Sequence, residues 1–220
     1  MAVEADHNIV DVIEELKKLS SLQEAYMHSL PLPENIGYLI PLCQLHRLDS
    51  RLIQQFADWR EKCSFAYPSR FPVTFDGTKR WVEALLNNPY RMLFVITDPF
   101  GLPIGHIGFY YHAETCEAEI ENVVRGVDSV YPGLMHAVML HLTSWLQHTA
   151  NPHRVFLRVL TSNAHAVEFY QKLGFTTEST EPLRSHTDGA ATVLRPLEPD
   201  DTGAPDDAFN LMVYRLDHER

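Results

Sequence analysis

The stretch Asn163-Ala-His-Ala-Val-Glu-Phe-Tyr-Gln-Lys-Leu-Gly-Phe175 is the most informative part of this 220-residue chain. Its residues up to Leu173 predict a short helix, and Gly174 is the type of residue that often follows the last turn of a helix. Phe175 then begins a predicted strand that runs to Thr180. The stretch therefore predicts a helix, a glycine turn and a strand, in that order.

The residues before this stretch predict two strands joined by a helix. Residues 116–124 alternate between acidic and other side chains, which is typical of a strand. Residues 134–146 carry an apolar stripe at helical spacing, and residues 154–160 form a mostly apolar run, typical of a strand buried on much of both faces. Strand, loop, helix and strand predict a βαβ unit whose two strands are parallel.

Elements further from the stretch complete a mixed sheet. Pro41 marks residues 38–42 as an edge strand, because proline has no amide hydrogen to donate to a neighbouring strand. The element order predicts an α/β fold (an α+β mixed sheet) with a single parallel crossover in its middle. The other predicted elements are helices over 8–28, about 52–59 and about 81–86, a loop over 65–75, a hairpin of residues 92–97 and 104–111, and a last strand over 209–216.

The chain is expected to form one main domain with appendages. Residues 1–36 contain an amphipathic helix and a proline-rich joint, which predict an extension that docks onto the body or onto a second subunit, as in a homodimer. Residues 37–220 are predicted to form the body. Within it, residues 181–207 hold four prolines and several acids, and we expect an insertion or lid there.

Composition and charge exclude several classes of protein. Apolar residues make up 45% and charged residues 21% of the chain, which is ordinary for a globular protein and unlike a disordered or fibrous one. The 18 basic and 29 acidic residues give a formal net charge of −11, which opposes the phosphate attraction that nucleic-acid binding needs. No apolar run approaches the roughly 18 residues of a membrane span. We expect neither nucleic-acid nor membrane partners.

Cysteine and histidine usage predicts no metal site. Cys43, Cys63 and Cys116 include no C-x-x-C pair, so they indicate neither a disulfide framework nor a zinc site. The 12 histidines form no H-E-x-x-H motif and are interpreted as surface or packing residues. The first ten residues lack the basic segment of a secretory signal, so a cytoplasmic location is expected.

The opening stretch also carries a family pattern. Five positions fit N-x-x-A-x-x-x-Y-x-x-x-G-F, namely Asn163, Ala166, Tyr170, Gly174 and Phe175. The pattern resembles the signature helix-turn-strand segment of the GNAT superfamily of N-acetyltransferases, and with the element order the resemblance covers residues 38–216. It implies a GNAT-like acyl-CoA N-acyltransferase fold with an added N-terminal amphipathic helix. It also implies acetyl-CoA, or another acyl-CoA, as co-substrate.

The resemblance implies where that co-substrate binds. In the family, the pantetheine arm lies where the fourth and fifth strands separate, and the pyrophosphate meets the start of the next helix. Carried to this chain, the arm runs along Asn122, Val123 and Val124, the pyrophosphate meets the amides of Gly133, Leu134 and Met135, and Asn163 bonds the far side of the cofactor. The family loop Q/R-x-x-G-x-G/A is here Val130-Tyr-Pro-Gly-Leu-Met135, which keeps only the middle glycine.

Four side chains are candidates for proton transfer. The implied reaction is attack of a neutral amine on a thioester, so a group must accept the amine proton. Glu119 is the first candidate base, because the family places an acid on this strand and strand parity puts Glu119 on the side of Val123. Glu121 is its rival, and His106 is a further candidate whose default interpretation is a core histidine. The resemblance places Tyr170 near the departing sulfur, as the general acid.

The glutamates and Tyr170 also have interpretations in which they take no part in catalysis. Glu117, Glu119 and Glu121 share one predicted strand face, which is also typical of a solvated surface. Tyr170 also fits the apolar side of its predicted helix as a packing residue.

The acceptor is the least defined part of the hypothesis. We expect a primary amine of a small molecule, with an amino sugar or a sugar nucleotide as one option, since an acid-lined strand suits a cationic amine. One alternative is a protein N-acetyltransferase. The other is a non-catalytic GNAT-like module that binds acyl-CoA or a protein partner.

Overall fold

The structure is a computed structural model that describes residues 8–127, 131–198 and 200–214. Within these residues the helices are α1 (Ile9–Lys18), α2 (Leu22–Met27), α3 (Ser50–Lys62), α4 (Phe75–Asn87), α5 (Leu134–Ala150) and α6 (Ala164–Lys172). The strands are β1 (Leu30–Pro31), β2 (Tyr38–Pro41), β3 (Ser69–Arg70), β4 (Arg91–Thr97), β5 (Pro103–His112), β6 (Glu117–Arg125), β7 (Arg154–Leu160), β8 (Phe175–Asp188), β9 (Ala191–Pro196) and β10 (Asp207–Tyr214). Short 3-10 helices cover Pro33–Asn35, Gln44–Leu48 and Ser64–Ala66.

These strands form one mixed sheet in the order β1-β2-β4-β5-β6-β7-β10-β8-β9-β3. Among the described pairs, β6 and β7 are parallel and the others are antiparallel. Helix α5 connects β6 to β7 and is the crossover helix that parallel strands require. The predicted mixed sheet with a parallel crossover in its middle is confirmed.

The sheet separates two apolar cores. Helices α1 and α5 pack on one face, around buried side chains that include Phe94 and Phe109. Helices α3 and α4 pack on the other face, around Phe56 and Trp59. Burial of apolar surface stabilises a fold by roughly 25 cal/mol per Å². The side chains of β4 and β5 are buried in these cores, so this burial holds the two central strands in place.

The predicted helix over 8–28 is two helices. Helix α2 begins after Ser21, whose hydroxyl accepts the Glu24 amide (3.2 Å) while the Glu24 carboxylate accepts the Ser21 amide (3.0 Å). This reciprocal capping box starts a new helix. Apolar residues continue at helical spacing across the break, so the apolar pattern alone predicts one helix and misses the capping signal.

Helix α1 packs directly on the rest of the protein. Ile9 and Ile13 are buried in the same core as α5. The Lys17 ammonium donates hydrogen bonds to the carbonyls of Leu85 (2.6 Å) and Asn88, where α4 ends. The first described helix is therefore tied to both helical layers, while the division of the chain at residue 36 stays a prediction.

Strand β2 is not the edge strand that Pro41 predicted. Strand β1 pairs with β2 through Leu30 opposite Leu39 and Pro31 opposite Tyr38. Because β1 is only two residues long, it ends before Pro41, and the missing amide hydrogen of that residue interrupts no pair on this side.

Residues 181–207, predicted as an insertion or lid, largely extend the sheet. Strand β8 continues past Thr180 to Asp188, the chain turns at Gly189 (φ +58°), and β9 returns beside it. Strand β9 also pairs with β3, which lies in the segment predicted as a loop over 65–75. The last strand, β10, starts at Asp207, and residues 215–216 of the predicted strand lie outside the described residues.

Strand β6 contains a bulge. Its pairing with β5 changes register between the pair Glu121–Gly108 and the pair Val124–His106, and Asn122 has a φ of +54°. An inserted residue of this kind bends the strand and reverses the alternation of its side chains.

The bulge changes which core each side chain of β6 faces, because it shifts the alternation by one residue. Ile120 packs into the core of α1 and α5, whereas Val124, four residues later, packs into the core of α3 and α4. Val123 instead packs against the first of these cores. The prediction that Glu119 and Val123 point to the same side is therefore wrong, because simple parity ignores the bulge.

Candidate active site

The parallel strands β6 and β7 separate part-way along their length. They pair from Glu117 opposite Arg154 to Ile120 opposite Leu157, and the pairing stops there. Strand β6 nevertheless continues to Arg125. The main-chain groups of β6 that point toward β7 beyond Ile120 have no strand partner, and an extended ligand can pair with such an edge.

A cavity of about 890 Å³ fills this opening. It is bounded by β6, β7, the N-terminus of α5, helix α6 and residues 63–68. All ten of the predicted site residues line it, namely Glu119, Glu121, Asn122, Val123, Val124, Gly133, Leu134, Met135, Asn163 and Tyr170. The structure therefore brings these ten residues together around one cavity.

The N-terminus of α5 offers free amides to this cavity. Gly133 precedes the helix with a φ of +79°, in the left-handed region that glycine tolerates, and has no atom near the position of a Cβ. The Met135 and His136 amides make no hydrogen bond to a described residue. Free first-turn amides and the helix dipole favour a bound anion. Val130 of the same loop lies outside the described residues.

The acidic face of β6 is neutralised by arginines. Glu117 pairs with Arg154 (2.9 Å), Glu119 with Arg158 (2.8 Å) and Glu121 with Arg91 (3.2 Å). The arginines come from β7 and β4, so the pairs cross from strand to strand. A solvated face is therefore the wrong description of this surface, since all three carboxylates are at least half-buried and paired.

The two candidate bases differ in their surroundings. Glu119 accepts two hydrogen bonds from Arg158 (2.8 and 3.3 Å) and lies 3.2 Å from His112 Nε2, so both of its oxygens are engaged. Burial raises the pKa of Glu121, and the Glu119 charge adds to the rise against the opposing effect of Arg91. A raised pKa makes the Glu121 carboxylate a better proton acceptor than an ordinary carboxylate.

His106 is a core histidine, as its default interpretation holds. It is 2% exposed and lies against the rings of Phe56, Trp59 and Trp81. Its Nδ1–H donates to the carbonyl of Asn122 (2.7 Å), the residue in the bulge of β6. Burial lowers the pKa of His106 to about 4, so the ring is neutral at physiological pH. It holds the bulge in place, and it is not one of the residues that line the cavity.

Tyr170 and Asn163 lie on the α6 side of the cavity. Tyr170 is 8% exposed, and burial raises the pKa of its phenol, so the hydroxyl stays protonated and can donate. The Asn163 side chain accepts the Ala166 amide (3.4 Å) and caps α6. This cap explains why asparagine begins the motif, and it gives Asn163 a local structural role beside the predicted one.

Several residues that line the cavity escaped the sequence analysis. Tyr67 precedes β3, Arg158 is on β7, and Phe209 is on β10. Arg158 was hidden in an apolar strand pattern. Tyr67 had only the cluster of aromatics and prolines around it as a signal, because its place in the cavity depends on how its segment folds over the sheet.

The comparison with protein families identifies the protein. The model described as "Acetyltransferase (GNAT) domain" matches residues 41–176, which is more than half of the chain. The chain belongs to the GNAT acetyltransferase family. The resemblance drawn from the motif is confirmed, and this GNAT protein is an N-acetyltransferase. No curated protein matches its sequence.

Solved structures of other acetyltransferases share the fold of this GNAT protein. RimL, a ribosomal L7/L12 alpha-N-protein acetyltransferase, is 12% identical with a TM-score of 0.64, over 86% of this chain and 94% of RimL. A probable GNAT-family acetyltransferase from Chromobacterium violaceum is 15% identical with a TM-score of 0.63, over 90% and 88%. Spermidine N-acetyltransferase from Vibrio cholerae, solved with CoA and spermine, is 16% identical with a TM-score of 0.56, over 75% and 88%. At these identities the likeness is one of fold.

Neither a membrane-spanning helix nor a metal cluster occurs in the described ranges. No helix there has the length and apolar character to cross a membrane. No group of three or more His, Cys, Asp and Glu side chains in those ranges is arranged to hold a metal ion.

The raised pKa of Glu121 gives a test of its surroundings. A carboxyl with a higher pKa in the folded state stabilises the fold below its unfolded pKa, and this contribution is lost as the pH rises through the folded value. Glu121→Gln does not titrate, so the wild-type protein should lose stability relative to this variant as the pH rises from about 4 to about 7. Urea unfolding at several pH values measures the difference.

Glu168→Gln is the matched control for this measurement. A hydrogen bond from Lys172 and the charge of Lys172 lower the pKa of Glu168, so the wild type should gain stability relative to this variant over the same pH range. Equal pH dependence for the two variants would contradict the assignment of a raised pKa to Glu121.

Proposed function

We propose that this N-acetyltransferase takes the acetyl group from acetyl-CoA and transfers it to a primary amine of a small molecule. The observation that carries the proposal is the separation of β6 from β7 after Ile120. It leaves an unpaired strand edge in a cavity that also receives the free amides of α5. An acyl-CoA has an extended, amide-bearing arm and a diphosphate, and these match the two features.

Two parts of the main chain bind two different parts of this co-substrate. The edge of β6 from Asn122 to Val124 binds the amides of the arm. The amides at Gly133 and Met135 bind the phosphates, and the Leu134 amide joins them by giving up its hydrogen bond to the Tyr131 carbonyl (3.3 Å). This contact depends on the main chain more than on side-chain identity. The departure of this loop from the family pattern therefore leaves the means of binding intact.

The proton transfers follow from the surroundings of two side chains. Acetyl-CoA supplies a thioester whose carbonyl carbon forms the new bond to the amine nitrogen. Glu121 accepts a proton from that nitrogen, because its raised pKa makes it a better base than an ordinary carboxylate. Tyr170 donates its proton to the sulfur as the carbon–sulfur bond breaks. Glu121 and Tyr170 then return to their first states by exchanging one proton through solvent.

Glu119 acts on the reaction through Glu121. Its pairing with Arg158 and His112 fixes the position of its carboxylate, and its charge raises the pKa of Glu121. It therefore tunes the base beside it.

The acceptor is proposed from the charge balance of the cavity. Because each glutamate on β6 pairs with an arginine, this strand attracts a polyamine less than three unpaired carboxylates would. A small monoamine such as an amino sugar, or the amino sugar of a sugar nucleotide, suits this balance. A protein N-terminus is the second candidate, supported by the similarity in fold to the ribosomal-protein enzyme RimL.

A panel of acceptors tests the proposed activity. Isothermal titration should detect acetyl-CoA binding, and a free-thiol assay should detect CoA release with amino sugars or their nucleotides. Spermidine and short peptides with free N-termini are the comparison acceptors. Faster release with peptides would favour the second candidate, and neither binding nor release would favour a non-catalytic module.

The role of Tyr170 is tested by removing only its hydroxyl. Tyr170→Phe should lower kcat by about 10²-fold and leave the affinity for acetyl-CoA little changed, because the lost group acts on the departing sulfur. Steady-state kinetics together with calorimetry measure both quantities. An unchanged kcat would exclude Tyr170 as the general acid.

The base is assigned by comparing two glutamate variants across pH. Glu121→Gln should remove the acidic limb of the kcat/KM profile, since the titrating group is then absent. Glu119→Gln should retain that limb and shift it to lower pH, because the charge that raises the pKa of Glu121 is lost. Loss of the limb in Glu119→Gln alone would reverse the assignment.

A further inference from the structure

A segment far from the family motif forms one wall of the cavity. Residues 63–70, here named the strap, contain a 3-10 helix (Ser64–Ala66) and the short strand β3. Five consecutive or nearly consecutive strap residues line the cavity: Cys63, Phe65, Ala66, Tyr67 and Pro68. Of these five, Tyr67 is the one whose side chain carries a hydroxyl, the same phenol group as that of Tyr170.

The strap is held rigidly in this position. The Arg60 guanidinium lies 3.4 Å from the centre of the Tyr67 ring and donates to the Ser69 carbonyl (2.6 Å). This arrangement clamps the ring between α3 and the strap's own main chain. A fixed side chain of this kind loses little entropy when it binds a ligand.

The hairpin of β8 and β9 supports the strap from the other side. The Leu194 amide donates to the Pro68 carbonyl (2.8 Å), and β9 pairs with β3. The segment predicted as an insertion or lid thus anchors the residue that follows Tyr67. Its contribution to the site is to hold this wall of the cavity.

The phenol of Tyr67 is free to bind something in the cavity. Its hydroxyl makes no hydrogen bond to any residue within the described ranges, and neither does that of Tyr170. Burial raises the pKa of Tyr67 to about 12, against the opposing charge of Arg60, and the Glu121 carboxylate adds to the rise. The hydroxyl therefore stays protonated and is a hydrogen-bond donor at any pH at which the protein works.

Tyr67 also lines the same cavity as both proposed proton carriers, Glu121 and Tyr170. Its pKa responds to the charge of Glu121, and the pKa of Tyr170 is raised first by burial and then by Tyr67. The base acts on the amine nitrogen and the acid on the sulfur, and the carbon bonded to both lies between them. A hydroxyl donor in the lining shared by both groups can therefore reach the oxygen on that carbon.

We infer that Tyr67 is a further catalytic residue, whose hydroxyl donates a hydrogen bond to the thioester carbonyl oxygen as its carbon becomes tetrahedral. The inference rests on the proposed function. No proton is transferred in this step, since the hydrogen stays on Tyr67 while negative charge develops on the oxygen and is then returned to the carbonyl bond. Donors aimed at a developing oxyanion accelerate acyl transfer because they bind the transition state more tightly than the substrate.

The test removes this hydroxyl and keeps the clamped ring. Tyr67→Phe should lower kcat by roughly 10²-fold, with KM for acetyl-CoA and for the amine changed by less than about threefold. Tyr90→Phe is the matched control, because Tyr90 is exposed and lies outside the cavity lining. Thermal unfolding and calorimetry with acetyl-CoA show whether the variant keeps its fold and its cofactor affinity.

The outcomes separate this inference from the proposed function. A folded, acetyl-CoA-binding Tyr67→Phe variant with the expected fall in kcat supports the inference. A kcat within about twofold of the wild type, or a loss confined to the KM of the amine, overturns it and leaves the transferase proposal standing. Absence of thiol release by the wild type with every acceptor overturns both.

Discussion

The site depends on the point at which β6 stops pairing with β7. Two parallel strands that start in register and separate after Ile120 leave main-chain donors and acceptors without a partner in an otherwise paired sheet. The bulge at Asn122 gives a physical reason for the separation, since bulges bend and twist the strand that contains them. His106 lies in the aromatic cluster of the α3–α4 core and donates a hydrogen bond to the Asn122 carbonyl (2.7 Å). This bond connects that core to the bulge beside the opening.

The charges around the opening are arranged to keep two neighbouring groups different. Three glutamates on one strand face would repel one another, and three arginines from β4 and β7 offset that repulsion. Glu119 has both oxygens engaged, whereas Glu121 is buried beside it with a raised pKa. Neighbouring acids with different surroundings are a common arrangement at functional sites. The glutamates of β6 are thus a row of paired, half-buried acids and not a solvated face.

The segments outside the family motif act on the same cavity. The β8–β9 hairpin extends the sheet and fixes the strap through Pro68 and β3. The strap in turn brings Tyr67 into the lining of the cavity, together with residues of β6, α5 and α6. Helix α1 contributes to the core behind the sheet and ties the end of α4 through Lys17. The strap therefore forms part of the cavity lining, and the hairpin and α1 support the structure around it.

The sequence by itself determined the local elements and the family. Asn163 caps α6, Tyr170 follows on its buried side, and Gly174 ends the helix with a φ of +93°, all through contacts a few residues apart. The alternation in β6 and the order of elements were likewise enough to place the predicted residues around one cavity. Only the tertiary structure decided the bulge, the arginine partners of Glu119 and Glu121, and the approach of Tyr67. These features join strands and loops distant in the chain, and a residue's partner across a sheet is set by register and packing, which no local pattern of side chains specifies.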